Sequence, residues 1–344
     1  MSDRVRIDPS KLKKPKPVDQ GPPAGFISSG CTLLDCMLGG GWGIGRVVNL
    51  VGDKSSGKTL LGIEACANFA KQFSAKDIRY AEGESAFSLD YARSIGLPMQ
   101  VIPTEPGEIT TVQSFYNDLS GFLKGRKGKT PALYLLDSLD SLSDDAEMNR
   151  EFGDNTYGTN KAKDMSELFR RINAEMAEAN CTLFVISQIR DKIGVTFGEK
   201  KTRSGGRALD FYCSQVVWLA EIKKLQRQVM NAKRVIGVEV LAKNRKNKLA
   251  IPFREAEFTL MFNYGVDDEV SMLNWLHDHK AESELDRGES GLPITVAEMR
   301  KELTTAREDR DQEAVQVIRE VLKEAVRARW AAIEEELRPP MAKY

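Results

Sequence analysis

The chain has 344 residues, 41% apolar and 29% charged, a globular composition that allows one large core or a core with small appendages. Lys plus Arg and Asp plus Glu balance at 50 each, so any contact with a polyanion has to come from a local basic patch. Five scattered cysteines (Cys31, Cys36, Cys66, Cys181, Cys213) offer no zinc-ligand spacing, and no apolar run is long enough for a leader or a membrane span; a cytoplasmic protein without membrane contact is expected.

Residues 1–25 form a basic, Pro-rich arm. Pro9, Pro15, Pro17, Pro22 and Pro23 forbid a regular helix, and Lys11, Lys13, Lys14 and Lys16 give it charge. It reads equally as a solvated tail or as an electrostatic arm on nucleic acid or a neighbouring subunit. From 26 to 265, short apolar runs predict strands over 47–51, 78–82, 99–102, 132–136, 182–187, 215–220, 238–242 and 258–262. Helical patterns separate the first five, so the spacing predicts an α/β core with a mostly parallel sheet covered on both faces. Among the last three the helical spacing is lost, which predicts antiparallel strands at one edge.

Residues 266–344 are charged and predicted to be mainly helical. Thr295-x-x-Glu298 has the capping-box spacing. Val315, Ile318, Leu322, Val326, Ile333 and Leu337 form one apolar stripe that should dock on the core, with a partner helix as the weaker reading. His277 and His279 flank Asp278 with no further ligand nearby and read as surface residues.

The chemistry is concentrated where the first core strand ends. Gly52, Asp53, Lys54, Ser55, Ser56, Gly57, Lys58 and Thr59 fit G-x-x-x-x-G-K-[ST], and Leu60 continues into a helix. The two glycines let successive N–H groups turn inward around phosphates at a helix N-terminus. Lys58 supplies a point charge there, and the Thr59 hydroxyl is a Mg²⁺ ligand. Leu133 to Leu136 is an apolar run ending in Asp137, a carboxylate placed to hold the same ion. The strand over 78–82 ends in Glu82-Gly-Glu84, and either carboxylate could serve as general base. Gln188 ends another strand with a neutral amide suited to sensing the γ-phosphate.

Four stretches together resemble the bacterial RecA recombinases. They are Ile27-Ser-Ser-Gly-Cys-Thr-Leu-Leu-Asp35 with Gly45-Arg46 and the phosphate loop; Ala81-Glu-Gly-Glu-Ser-Ala-Phe87 with Tyr91-Ala-Arg-Ser-Ile-Gly-Leu97; Asp137-Ser138 with Ala146-Glu147 through Gly153-Asp154; and Ser187-Gln-Ile-Arg-Asp-Lys-Ile-Gly-Val-Thr-Phe-Gly198 with Gly205-Gly206 and Lys246-Asn-Lys-Leu-Ala-Ile-Pro-Phe253. The resemblance implies a RecA-like P-loop NTPase core over 26–265, ATP and Mg²⁺ as cofactors, and DNA-dependent ATP hydrolysis. It puts Glu84 at the family's catalytic glutamate, Tyr91 near the adenine and Gln188 between nucleotide state and DNA binding. It also implies that Lys246 and Lys248 reach the ATP of a neighbouring subunit.

Two segments resemble the family's DNA-binding loops: 147–160, with Tyr157 near bases, and 193–209. In the second, the resemblance implies Ile193 as a wedge between bases, Gly194, Gly198, Gly205 and Gly206 give freedom, and Lys200, Lys201, Arg203 and Arg207 are placed to neutralise phosphate. Lys161, Lys163, Arg170 and Arg190 are assigned to the same surface. The implied function is a recombinase in DNA repair, forming a filament on single-stranded DNA and exchanging strands with duplex DNA. Single-strand-binding or mediator proteins would be further partners. The alternative is a RecA-fold mediator, loader or ring motor without strand exchange.

Departures mark a divergent member of phage type. The Lys/Pro arm is too short for the family's docking helix, Ser88 stands where an Asp is expected beside the adenine, and Lys243 and Arg245 blur the register of the two lysines. Residues 266–344 do not match the family's C-terminal domain.

Overall fold

A computed structural model describes residues 25–84, 88–126, 130–144, 160–191, 201–203, 206–285 and 295–339. The basic arm before Gly25 and the candidate DNA contacts Tyr157, Ile193, Gly194, Lys200 and Gly205 lie outside the described residues; for Lys201 and Arg207 only the backbone is described.

The strands are β1 (Phe26–Ile27), β2 (Trp42–Gly43), β3 (Val47–Gly52), β4 (Ile78–Glu82), β5 (Ala132–Asp137), β6 (Cys181–Asp191), β7 (Lys201–Arg203), β8 (Gln215–Val229), β9 (Ala232–Asn247), β10 (Glu255–Met261) and β11 (Gly265–Val266). The helices are α1 (Thr32–Leu38), α2 (Lys58–Gln72), α3 (Leu89–Ser94), α4 (Val112–Leu123), α5 (Asn160–Glu178), α6 (Gly206–Tyr212), α7 (Asp268–Asp278), α8 (Val296–Glu308) and α9 (Gln312–Glu336).

Among the described residues the main sheet runs β11-β10-β9-β8-β3-β6-β5-β4, with β7 added to the end of β6. Strands β8, β3, β6, β5 and β4 are parallel. Every residue of β3 and β5 is buried, the signature of strands covered on both faces. Alternate residues of β5 divide between two apolar clusters: Leu133 and Leu135 join α1, α2 and α7–α9, whereas Tyr134 and Leu136 join α4 and α5. This is the expected α/β architecture, with helices on both faces of a central parallel sheet.

Three strand expectations change. Residues 99–102 are not a strand. Pro98 and Pro103 remove amide donors, Met99 and Ile102 are 65% and 68% exposed, and Val101 alone turns inward. Strand β8 is parallel to β3 and antiparallel only to β9, so it joins the parallel core to the antiparallel flank. Strands β8 and β9 are also much longer than 215–220 and 238–242. They continue as a two-stranded ribbon to a turn at Met230 and Asn231, both at positive φ, as a type I′ hairpin requires. The ribbon is solvated and lacks the apolar alternation that marks a half-buried strand.

The apolar stripe docks as expected. Val315, Ile318, Leu322 and Val326 of α9 are buried in the cluster that contains α1, each contributing about 1.5–3 kcal/mol. Leu337, at the end of the stripe, stays 64% exposed. The Thr295–Glu298 capping box is formed in both directions. Among the described residues no helix is long and apolar enough to cross a membrane, and no His, Cys, Asp and Glu cluster has metal-site form.

Candidate nucleotide site and nucleic-acid interface

Strand β3 delivers the chain to the phosphate loop at the carboxyl edge of the sheet. Gly57 caps α2 at φ 87°, and a Cβ there would lie 2.1 Å from Leu260 Cδ1, so both backbone and space demand glycine. A Cβ on Gly52 would meet Ser56 Oγ at 2.3 Å. No side chain caps α2, so its first-turn amides form an anion cradle open to phosphate oxygens. Lys58 Nζ donates to the Asp53 carbonyl at 2.7 Å, as does Ser56 Oγ at 2.8 Å. Burial lowers the Lys58 pKa, opposed by Asp137, Glu84, Asp53 and Asp140 around it.

Asp137, at the end of β5, is buried; Tyr80 Oη donates to it at 3.0 Å, and the Thr59 side chain also hydrogen-bonds to it. Burial pushes this carboxyl up to about 6, with the Thr59 bond opposing the rise and Glu84 adding to it. A hydroxyl and a carboxylate side by side next to an anion cradle are the hard oxygen donors that Mg²⁺ takes, so the residues present fit Mg²⁺ with a nucleoside triphosphate.

Glu82 and Glu84 separate in role. Glu82 is 4% exposed and accepts a hydrogen bond from the Glu84 backbone N–H at 2.8 Å, which shapes the turn. Glu84 Oε1 accepts from Ser138 Oγ at 2.6 Å and from Gln188 Nε2 at 3.0 Å. The Gln188 backbone N–H donates to Asp140 Oδ2 at 2.6 Å, and Arg190 Nε donates to Asp140 Oδ1 at 3.1 Å. Register sets these groups in one row, with Gly52 opposite Gln188 and Glu82 opposite Asp137.

Gln188 does not end its strand as expected: β6 continues to Asp191 and pairs antiparallel with β7, Ile189 opposite Arg203 and Asp191 opposite Lys201. The second candidate DNA loop therefore springs from a hairpin base that begins next to Gln188. The other candidate DNA contacts divide. Arg190, Lys163 and Arg170 are exposed. Lys161 Nζ instead donates to the Leu139 and Leu142 carbonyls, and Arg203 is 8% exposed and paired with Asp210. Tyr91 is 44% exposed on α3, and the Ser88 hydroxyl caps that helix by accepting from Tyr91 N–H. Sequence reasoning missed Tyr80, Ser138 and Asp140 as supports. Only Ser138, beside Asp137 in a quoted motif, carried a signal.

Lys246 and Lys248 lie at the other end of the sheet. Lys246 is opposite Val216 and Gln215 is opposite Val48, whereas the phosphate loop leaves β3 beyond Gly52, opposite Leu219. Lys246 Nζ donates to the Asp210 and Phe211 carbonyls, and Lys248 Nζ donates to Phe211 at 3.4 Å. Burial and the adjacent Lys248 charge lower the Lys246 pKa. Beside them is a pocket of about 270 Å³ lined in part by Arg46, Phe211, Tyr212, Lys248 and Leu249. Lys243 pairs with Glu255 at 2.9 Å, and Arg245 lies 5.3 Å from the Trp218 ring, so these two cations have partners of their own.

A phosphate loop between a buried parallel strand and a helix, with an acidic residue ending the strand one place removed, defines a P-loop α/β nucleotide-binding protein. Residues 20–267 match the family profile of the RecA N-terminal domain. The chain is 33% identical over 249 residues to "Protein RecA" of Prochlorococcus marinus (strain AS9601), covering 72% of this chain and 65% of that protein. It is 32% identical over 262 residues to "Protein RecA" of Leifsonia xyli subsp. xyli (strain CTCB07), covering 76% and 70%. The crystal structure of the RadB recombinase superposes with TM-score 0.51 at 19% identity, over 70% of this chain and 98% of that one, a likeness of fold. The chain belongs to the RecA family.

Proposed function

We propose that the protein is an ATP-dependent recombinase that assembles as a filament on single-stranded DNA, pairs it with homologous duplex and exchanges strands, acting in DNA repair in the cytoplasm. The observation that carries this reading is the Glu84–Gln188 hydrogen bond, because Gln188 is followed at once by the hairpin base of the candidate DNA loop. An amide that touches the candidate base and sits in the strand leading into the candidate DNA loop couples the two sites.

In this reading the α2 cradle and Lys58 bind the ATP phosphates, and Glu84 orients and deprotonates the attacking water. Thr59 and Asp137 would hold Mg²⁺, which would neutralise phosphate charge when bound. Lys246 and Lys248 act on the ATP of an adjacent copy, which their position at the opposite sheet edge supports. Hydrolysis then depends on assembly. The exposed Arg190, with Lys200 and Lys201, neutralises DNA phosphates.

Electron microscopy with single-stranded DNA and a non-hydrolysable ATP analogue tests the proposal. Continuous helical filaments are expected; closed rings of fixed subunit number would replace it with a motor or loader.

A further inference from the structure

Between the two cations, Asn247 points the other way. It is 8% exposed; its Nδ2 donates to the Leu38 carbonyl at 3.0 Å, and its Oδ1 accepts from the backbone N–H groups of Leu249 and Ala250 at 2.8 and 3.1 Å. Three residues earlier, Asn244 donates to the Met37 carbonyl at 3.2 Å. Met37 and Leu38 close α1, so these two amides satisfy carbonyls that a helix end leaves open. The fit is close: a Cβ on Gly39, which follows α1 at φ 80°, would lie 2.3 Å from Ala250 Cβ.

Helix α1 is in turn held by the C-terminal helices. Asp268 of α7 accepts from both Thr32 N–H and Thr32 Oγ1 at 2.7 Å. Helix α9 packs its buried stripe in the cluster that contains α1. It also reaches the segment leading into β10 directly, because Arg254 makes a two-pronged bond to Glu334 at 2.6 and 2.7 Å. Arg254 is tied to the lysine strand, accepting from Asn244 N–H at 2.9 Å. All of α7–α9 lies beyond residue 267, where the family match ends.

We propose that Asn247 is a positioning residue for Lys246 and Lys248, and that the helices after residue 267 form the brace through which α1 and Arg254 hold the lysine turn. Asn247 ends β9, so anchoring it inward turns Lys246, one place earlier in the strand, outward, and Lys248 just beyond reaches the same Phe211 carbonyl as Lys246. Long Lys side chains lose little reach but much aim when their backbone is free. The inference rests on the assignment of these lysines to the nucleotide of a neighbouring copy.

The test is DNA-stimulated ATP turnover of full-length variants, alone and mixed. Asn247→Ala should keep its circular dichroism and its own ATP binding, because its phosphate loop is intact, yet lose about tenfold to a hundredfold in turnover. Mixing it with equal Glu84→Gln protein should restore about a quarter of the parent rate, the share of interfaces where an intact loop meets an intact lysine pair. A general folding defect would not be rescued in this way. Lys246→Ala mixed with Glu84→Gln is the control. If that pair recovers while the Asn247→Ala mixture does not, or if Asn247→Ala alone turns over at the parent rate, Asn247 has no positioning role. If the control itself fails to recover, the trans assignment of the lysines fails, and this inference with it. Should Asn247→Ala not fold, Glu334→Ala, which removes only the Arg254 tie, is read by the same mixing experiment. Unchanged turnover there overturns the brace.

Discussion

Glu82 and Glu84 stand two residues apart at one strand end, yet one holds backbone and the other meets side chains of the candidate site. Glu82 is buried and spends an oxygen on the Glu84 N–H, whereas Glu84 meets Ser138 and Gln188 through its carboxylate. Glu84→Gln should therefore keep ATP binding and lose about 10²–10⁴-fold in turnover. Glu82→Gln retains an oxygen that accepts the same N–H and should cost far less. Single-turnover hydrolysis separates them, and equal losses would move the base away from Glu84. The residues that carry recognisable chemistry, Gly57, Lys58, Thr59 and Asp137, were legible because each is fixed by a local motif. Tyr80 and Asp140 were not, because their contacts cross from β4 to β5 and from the turn after β5 to β6. The partly buried Lys161 and buried Arg203 carry a further lesson: a Lys or Arg in a basic stretch reads as solvent-facing from sequence, while the folded chain ties both to backbone or carboxylate.

At the scale of elements, strands buried on both faces were read from their apolar runs, and the capped α8 and striped α9 from their spacing. The segment 99–102 failed because two flanking prolines outweighed its apolar content, and the β8–β9 ribbon was under-read because it buries little. The contact between α7 and α1 was invisible, since Thr32 and Asp268 are far apart in sequence. It leaves a signature in pH. Burial pushes Asp268 up to about 7, with the two Thr32 hydrogen bonds opposing the rise and Glu269 adding to it. A carboxyl with a raised folded pKa favours folding below its unfolded value of about 4, and that contribution is lost as pH rises through the folded value. Asp268→Asn keeps an acceptor for Thr32 and cannot ionise. Its melting temperature relative to the parent should rise from about pH 5 to about pH 8; a flat difference would mean that Asp268 does not titrate across this window.

For the whole molecule, the governing fact is that the phosphate loop and the lysine pair lie at opposite edges of one sheet. In the proposed filament each copy offers its lysine pair to one neighbour and its phosphate loop to the other, a head-to-tail contact that can repeat without closing. Turnover per protomer should therefore climb with the length of the assembly, approaching a plateau as ends become rare, which dilution series on long and short single strands would measure. Equal per-protomer rates on strands that seat two copies and strands that seat many would contradict it. The same arrangement gives an open run a direction. In the proposed assembly, one terminus would bind a nucleotide with no lysines over it, and the other would leave a lysine pair facing solvent. Terminal ATP would then be spared while interior ATP is spent, so the two ends would age differently, and disassembly would have a built-in arrow that a closed ring of the same subunits would lack.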